Sequence, residues 1–345
     1  MPPGRLTLTL ALLTLAVPLT AQTRVAEIAK KRDAKAAKLT EEKPTATEQR
    51  LIYIKESKLL ERTGAGFGGV RVKIGGMPTG SGFALGPEYF RDDLADGKLV
   101  FTAGLQASTR RWLRFNTSLA APSLARNKLF WEAYAVHRDY NSLTYYGPGP
   151  DSERKDRTNY RHEDTTFDTL IGAKPHKWVR FGFSAGYLEM NAGPGLDKRY
   201  PSSEKLFASN PDSPGFDRQP DFKRWGTFGV FDYRDDPNGP RSGGNYTARY
   251  DDFRDADLAL HDFRRLDVEA QQYVPLFNKR RVIALRARTV QTFMRPGQTL
   301  PFYQQSVLGG GDDLRGFGPY RFHASNLALA QPSQLETFES GSRLF

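Results

Sequence analysis

The chain contains no cysteine and only five histidines among its 345 residues. The lack of cysteine excludes a disulfide scaffold, thiolate catalysis and a cysteine-ligated zinc site. No two histidines lie within five residues of each other, so no local grouping indicates a metal site or an acid–base pair. They are His137, His162, His176, His261 and His323. Any metal site would therefore depend on carboxylates.

Long apolar runs are also missing. None reaches the ~18 to 20 residues that a membrane-spanning helix needs, which excludes a multi-helix membrane protein. A transmembrane β-barrel passes this test, because its strands are only half apolar and leave the average hydropathy low. The chain has 23 Phe, 15 Tyr and 4 Trp. This aromatic content predicts a folded protein, although 26% of the residues are charged.

The N-terminal residues indicate export. Arg5 is followed by the apolar stretch Leu6–Ala16 and by a breaker before Ala21, which is the pattern of a secretory signal over residues 1–21. A short buried helix is the alternative. Residues 22–63 are rich in charge and have helical spacing interrupted at Pro44. We interpret them as a periplasmic tether or plug that is too small to be a domain.

From Gly64 onward, runs of about ten residues alternate polar or small with apolar side chains, as strands with two different faces do. Trp178–Leu188 is the clearest case, because Phe181 and Phe183 share one face while Arg180 and Ser184 share the other. Twelve segments fit: 70–74, 80–89, 99–108, 112–119, 129–137, 165–173, 178–188, 225–234, 246–251, 265–276, 281–290 and, weakly, 320–329. Twelve strands with charged faces favour a membrane barrel over a soluble β-sandwich.

The connections between these segments support the same interpretation. Short turns fall at residues 124–127, 173–177 and 277–279, whereas long polar segments fall at 141–160, 191–221 and 294–319. Outer-membrane barrels have this alternation of tight periplasmic turns and long outer loops. The net charge of +11 could indicate nucleic acid, anionic lipid or a basic pore lining. The arginines alternate along strand faces, so a barrel lumen is favoured and no nucleic-acid partner is predicted.

Two short motifs resemble catalytic or cofactor-binding patterns but lack their structural context. Gly182–Gly186 fits the G-x-S-x-G pattern of a hydrolase, in which Ser184 would be the nucleophile. That serine requires a sharp strand-to-helix turn, and here it lies inside a predicted strand. Gly64–Gly69 fits a dinucleotide-binding pattern without a preceding strand or a following helix. We interpret both as small residues of a β-protein.

Two other segments carry unusual polar groups. In residues 231–244, a strand end places Asp232 and Arg234 on the inward face, and Asp235 leads into a Pro/Gly turn. In residues 308–320, glycines allow tight folding of a loop that presents Arg315 beside Gly316 and Phe317. A guanidinium can bind a carboxylate through two hydrogen bonds. We therefore expect this loop either to fold back against a carboxylate of the barrel wall or to be a mobile surface loop.

At these residues the chain resembles the BamA/TamA-type outer-membrane barrels, the bacterial surface antigen family. Arg315, Gly316 and Phe317 are similar to the motif on that family's inward-folded sixth outer loop, and Asp232, Arg234 and Asp235 to its strand-end motif. Residues 80–89 and 145–150 are similar to segments of its early strands. The resemblance covers about residues 64–329.

The resemblance implies an all-β, antiparallel sixteen-strand barrel in the bacterial outer membrane that inserts or translocates polypeptides. It implies no cofactor and no enzymatic activity. The implied partners are outer-membrane lipids and lipopolysaccharide, and also unfolded outer-membrane protein clients or periplasmic chaperones.

The chain departs from the family pattern in two ways. The segment 22–63 is too short for a POTRA domain, and only about twelve of the sixteen strands are visible. We therefore expect an incomplete barrel over residues 64–330, followed by a polar tail of uncertain origin over residues 331–345. A passive anion-preferring pore or surface antigen and a non-functional fragment remain the alternative functions.

Overall fold

A computed structural model describes residues 30–31, 68–276, 281–311 and 313–336. The chain divides into two compact units, Met1–Glu61 and Arg62–Phe345. In the first unit only Lys30 and Lys31 are described, and both are helical. The predicted signal segment, residues 1–21, and the rest of the predicted tether lie outside the described residues. Within the described residues, no helix has the length and apolar character needed to cross a membrane.

The second unit is built on antiparallel β-structure. Its strands are β1 (Val70–Ile74), β2 (Ala84–Asp93), β3 (Leu99–Ser108), β4 (Leu113–Leu124), β5 (Leu129–Tyr145), β6 (Thr158–His176), β7 (Val179–Pro194), β8 (Phe222–Asp232), β9 (Gly243–Asp255), β10 (Phe263–Leu276), β11 (Arg281–Met294), β12 (Ser306–Leu308), β13 (Phe322–Ala324) and β14 (Leu327–Glu336). Strands β1 to β11 pair in chain order, and β14 pairs with β11, which makes a twelve-stranded sheet. Within the described residues β1 and β14 are the two edges of this sheet.

Smaller elements connect the strands. Strands β12 and β13 form a separate two-stranded ribbon between β11 and β14. Helix α1 (Leu94–Gly97) is one turn between β2 and β3, in which Ala95 and Asp96 have positive φ. Helix α2 (Ser203–Phe207) lies in the connection from β7 to β8. Two 3₁₀ turns, Arg154–Asp156 and Phe302–Gln304, lie in the two other long connections.

The two faces of the sheet differ in the way that a membrane barrel wall requires. In β7, Phe181 and Phe183 are 49% and 65% exposed, whereas Ser184 is 5% exposed. Ile171 and Leu285 on other strands are likewise exposed. Because successive side chains of a strand point to opposite faces, the apolar residues cover the outer face and the polar residues line the inner one. This confirms the predicted all-β, antiparallel fold of the outer-membrane barrel type.

Ion pairs within one strand and between strands hold the inner face together. Each joins an arginine to a carboxylate on the same face: Arg138 with Asp164, Arg224 with Asp168, Arg249 with Asp251, Arg288 with Asp267 and Arg286 with Glu269. Pairing of this kind offsets the cost of removing charge from water. The inner face is therefore rich in charge, but most of that charge is neutralised locally.

The two ends of the sheet carry different connections. At the turn end the connections are short, for example residues 125–128 between β4 and β5 and 177–178 between β6 and β7. At the loop end lie the long connections, residues 146–157, 195–221 and 295–326. The loop end also contains the main apolar core. We call its centre the loop-end aromatic cluster: Tyr145, Tyr160, Phe207, Phe216 and Phe302.

Eleven of the predicted strand segments correspond to β1–β11, although β5 and β6 extend further toward the loop end. The twelfth, residues 320–329, was wrongly placed, because the structure divides it between β13 and the start of β14. Strand β14 continues to Glu336, into the part of the sequence interpreted as a polar tail. Alanines and inward-facing polar side chains weaken its alternation, and Pro332 is tolerated because β14 is an edge strand.

Candidate functional site

The loop that carries Arg315, Gly316 and Phe317 is residues 295–326, which we call the long loop. Its ribbon β12–β13 ends in a compact tip, residues 309–321. In this tip the N–H of Gly310 donates to the carbonyl of Phe317 over 3.2 Å, and the N–H of Phe317 donates to that of Leu314 over 3.2 Å. Gly316 has a φ of +93°, a left-handed conformation that favours glycine. The central glycine of the motif is thus required by the turn itself.

The long loop folds against the inner face of the sheet. The Asp313 carboxylate accepts a hydrogen bond of 3.1 Å from Arg286 on β11, whose Nε also donates to Glu269 on β10 over 2.7 Å. Beside this ion pair, Leu314 packs against inward-facing apolar residues of β11 and β14, which include Val290. One ion pair and one apolar contact therefore fasten the tip to the wall.

Arg315 itself is exposed and, within the described part of the chain, makes no hydrogen bond or ion pair. The expected contact between Arg315 and a wall carboxylate is therefore not formed among these residues. The ion pair between loop and wall has the opposite polarity, because Asp313 supplies the carboxylate and Arg286 the guanidinium. Phe317 is 50% exposed, and its ring lies 5.4 Å from that of Phe322.

The strand-end motif lies at the turn end of β8. Asp232 and Arg234 form two parallel hydrogen bonds of 2.9 and 2.7 Å between carboxylate and guanidinium, and both are largely buried. The Asp235 carboxylate accepts backbone N–H groups of Asp236, Arg241 and Ser242 over 2.9–3.1 Å. These donors hold the pKa of Asp235 well below its usual range. The motif therefore orders the turn between β8 and β9.

The structure does not bring the two motifs together. Within the described residues no hydrogen bond, ion pair or ring contact joins Asp232, Arg234 or Asp235 to the tip of the long loop. Strand β8 ends at the turn end, whereas Arg315 lies in a connection of the loop end. The strand-end motif and the loop motif are thus two separate sites.

Two residues at the base of the long loop were not predicted as functional from the sequence. Arg321 lies over the rings of Tyr146 and Phe322 at 4.6 and 4.5 Å and donates to the Ser152 hydroxyl over 2.7 Å. His323 is 1% exposed, and its ring contacts that of Tyr145 at 4.8 Å. Burial lowers the pKa of His323 to about 3. The only sequence signal was an arginine and a histidine flanking Phe322.

The hydrolase-like motif is part of the sheet. Ser184 lies in the middle of β7, paired with Leu170 on one side and Gly226 on the other. Its hydroxyl accepts a hydrogen bond of 3.4 Å from Arg249. The strand continues through the motif to Pro194, so the chain does not make the sharp turn that a nucleophilic serine needs. Among the residues that the structure describes, no group of three or more histidines and carboxylates could hold a metal ion.

Comparisons with known proteins agree with this architecture. The sequence profile of the Omp85 superfamily domain matches residues 100–326. Among solved structures, the chain is similar to BamA from Haemophilus ducreyi lacking POTRA domains 1–3, with a TM-score of 0.53 and 17% sequence identity. The match covers 79% of this chain and 55% of the BamA chain, so this chain spans about half the length of that relative. No curated protein matches the sequence.

Proposed function

The chain belongs to the Omp85 superfamily, as a barrel of the BamA/TamA type in the bacterial outer membrane, and from this we propose that it inserts or translocates polypeptides there without enzymatic chemistry. The family as a whole supports a role in outer-membrane protein insertion or translocation. The observation that carries the specific proposal is the long loop, whose tip is fastened to the inner face by Asp313 and Leu314.

The loop fastened to the inner face of the sheet distinguishes this proposed function from that of a passive pore. A conducting pore needs a water-filled lumen, and its selectivity comes from unpaired charges that face the water. Here the arginines of the inner face are mostly paired with carboxylates, and Arg286 binds both the wall and the loop tip. This arrangement favours a narrowed lumen over an open, anion-preferring channel.

The proposed partners follow from the two ends of the sheet and from its apolar outer face. The apolar outer face, with exposed residues such as Phe183 and Ile171, would contact the lipid chains of the membrane. By the usual orientation of such barrels, the loop end would face lipopolysaccharide and the outside, and the turn end the periplasm. Unfolded outer-membrane protein clients or their periplasmic chaperones would approach from the turn end.

The proposal is tested in cells in which the chromosomal gene can be depleted while a plasmid copy supplies the wild type or a variant. The Asp313→Asn and Arg315→Ala variants are compared with the wild type and with Arg126→Ala, a control in the turn between β4 and β5. We expect lower levels of folded client proteins for the two loop variants and normal levels for the control. Heat-dependent migration of the variant protein itself shows whether its own barrel is folded.

Two results would contradict the proposal. The first is unchanged levels of folded outer-membrane proteins when the gene is depleted or when both loop positions are replaced in a folded protein. The second is steady, anion-selective conductance of the wild-type chain in planar bilayers, which would instead support the passive pore. A plugged assembly barrel should flicker or stay closed.

A further inference from the structure

A cavity of about 430 Å³ lies at the loop end, where three connections meet. It is lined by residues of the β3–β4 turn, of the connection 146–157 and of the tip of the long loop. Four arginines belong to its lining: Arg110, Arg154, Arg157 and Arg321. Among the residues that the structure describes, no aspartate or glutamate lines it. The cavity thus carries concentrated positive charge that its own wall does not neutralise.

Neutral groups hold the two innermost arginines. The Nη1 of Arg157 donates to the Tyr200 hydroxyl over 2.9 Å, and its guanidinium lies 4.0 Å from the centre of that ring. Arg321 donates both to the hydroxyl and to the backbone carbonyl of Ser152, over 2.7 and 2.5 Å. These contacts fix the direction of each guanidinium but leave its charge available. Positioned in this way, the two arginines are preorganised for an anion.

The remaining two arginines, Arg110 and Arg154, are exposed. Within the described residues, neither Arg110 nor Arg154 forms an ion pair or a hydrogen bond through its side chain. The inner face of the sheet is different, because there arginines such as Arg138 and Arg288 are each paired with a carboxylate. Four arginines without a described carboxylate partner thus share this cavity, and grouping like charges without an anion is unfavourable.

Two hydrogen-bond donors of the lining also lack an acceptor. The side chain of Trp112 is 1% exposed, and its indole N–H has no partner among the described residues. The buried Nε of Arg157 is likewise without one. Buried donors usually have acceptors, and leaving them unpaired is costly. Both atoms are covered by surrounding groups, so a ligand in the cavity would reach the guanidinium ends of the arginines rather than these two donors.

We propose that this cavity binds the phosphate group of an anionic ligand. A phosphate monoester carries close to two negative charges and three acceptor oxygens, and guanidinium groups match its geometry. Such a group is better suited than a single carboxylate to four arginines. The half-exposed ring of Phe317 in the lining offers contact to an apolar part of the ligand. The phosphate would come either from lipopolysaccharide or from a soluble phosphate.

Binding is measured by calorimetry on the full chain refolded in detergent micelles. The probes are purified lipopolysaccharide, the same lipopolysaccharide after enzymatic dephosphorylation, and inorganic phosphate. The test variant is Arg110→Gln combined with Arg154→Gln. The control is Lys198→Gln combined with Lys205→Gln, which removes the same charge from exposed positions of the connection 195–221 that do not line the cavity. Heat-dependent migration confirms that each variant is folded.

We expect the arginine variant to bind the phosphorylated probe about tenfold or more weakly, because a charge-assisted hydrogen bond contributes about that much to affinity. The lysine control should bind as the wild type does. If millimolar inorganic phosphate displaces lipopolysaccharide, a free phosphate is sufficient for binding. If intact lipopolysaccharide binds and inorganic phosphate does not, the lipid is the source of the phosphate group. The proposal is overturned if neither intact lipopolysaccharide nor inorganic phosphate binds, if dephosphorylation changes nothing, or if the lysine control weakens binding equally.

Discussion

Acidification should destabilise the loop end through His323. This side chain is 1% exposed, and neither ring nitrogen has a partner among the described residues. Its ring lies against Tyr145 of the loop-end aromatic cluster. Protonation would place an uncompensated charge in this apolar surrounding, which is strongly unfavourable. The folded loop end therefore requires the neutral form of His323.

The size of the effect follows from the pKa of His323 in the two states. It is about 3 in the folded protein, against 6.5 for an exposed histidine. Because the folded pKa is the lower one, the stabilisation is complete above pH 6.5 and is lost as the pH falls from 6.5 toward 3. Between pH 7.5 and pH 5 the linkage relation gives a loss of about 2 kcal/mol in the free energy of unfolding.

Urea unfolding of the full chain in detergent micelles, followed by tryptophan fluorescence, measures this loss. Trp112 belongs to the same apolar core and stacks on Tyr140 at 4.7 Å, so its emission reports on the loop end. The His323→Phe variant keeps an aromatic ring of similar size but cannot be protonated. We expect the wild type to lose about 2 kcal/mol more than this variant between pH 7.5 and pH 5. An equal pH dependence of the two proteins would refute the reasoning.

Two further predictions concern the sheet. The Asp164→Ala substitution removes the buried partner of Arg138 and should lower the free energy of unfolding by about 2 to 3 kcal/mol. The Glu153→Ala substitution at an exposed ion pair should change it little. Urea titration of both variants measures the two changes, and equal losses would contradict the prediction. The Gly172→Ala substitution would place a methyl group 2.5 Å from the ring of Phe130 and should lower the temperature of the heat-dependent migration shift. The same change at Gly229, where no described atom beyond the adjoining residues lies within 4 Å of the added carbon, should leave that temperature unaltered. Equal behaviour of the two glycine variants would contradict the expected steric conflict.

The local alternation of apolar and polar side chains was enough to predict most strands. Trp178–Leu188 was identified because apolar residues such as Phe181 and Phe183 occupy every second position. This alternation is a property of the strand itself and does not depend on which strand lies beside it. Residues 320–329 were misplaced because the ribbon β12–β13 depends on pairing between segments sixteen residues apart, such as Val307 with His323. No local pattern records that pairing. Strand β14 was hidden by alanines and by polar residues that face the lumen.

The candidate sites show the same division. The motif Arg315–Gly316–Phe317 was visible as a sequence, and the positive φ of Gly316 explains its central glycine. The sequence did not show which residues of the loop and the wall form the ion pair, because that contact depends on where the folded loop meets the wall. That contact uses Asp313 and Arg286, which are 27 residues apart in the chain. Asp235 was predicted at a turn. Its carboxylate binds backbone N–H groups of the same turn, so the residues from Pro237 to Gly244 were enough to predict its position.

The sequence by itself determined the class of the protein. Alternating faces, short and long connections and the lack of long apolar runs specify a membrane β-barrel, since each is a property of neighbouring residues. Only the tertiary structure decided which charges are paired and which are free. Arg138 and Arg321 look alike in the sequence, yet Arg138 meets Asp164 across a strand pair, whereas Arg321 meets Ser152 in a cavity whose described lining contains no carboxylate. The surroundings of a side chain depend on distant segments, which only folding brings together.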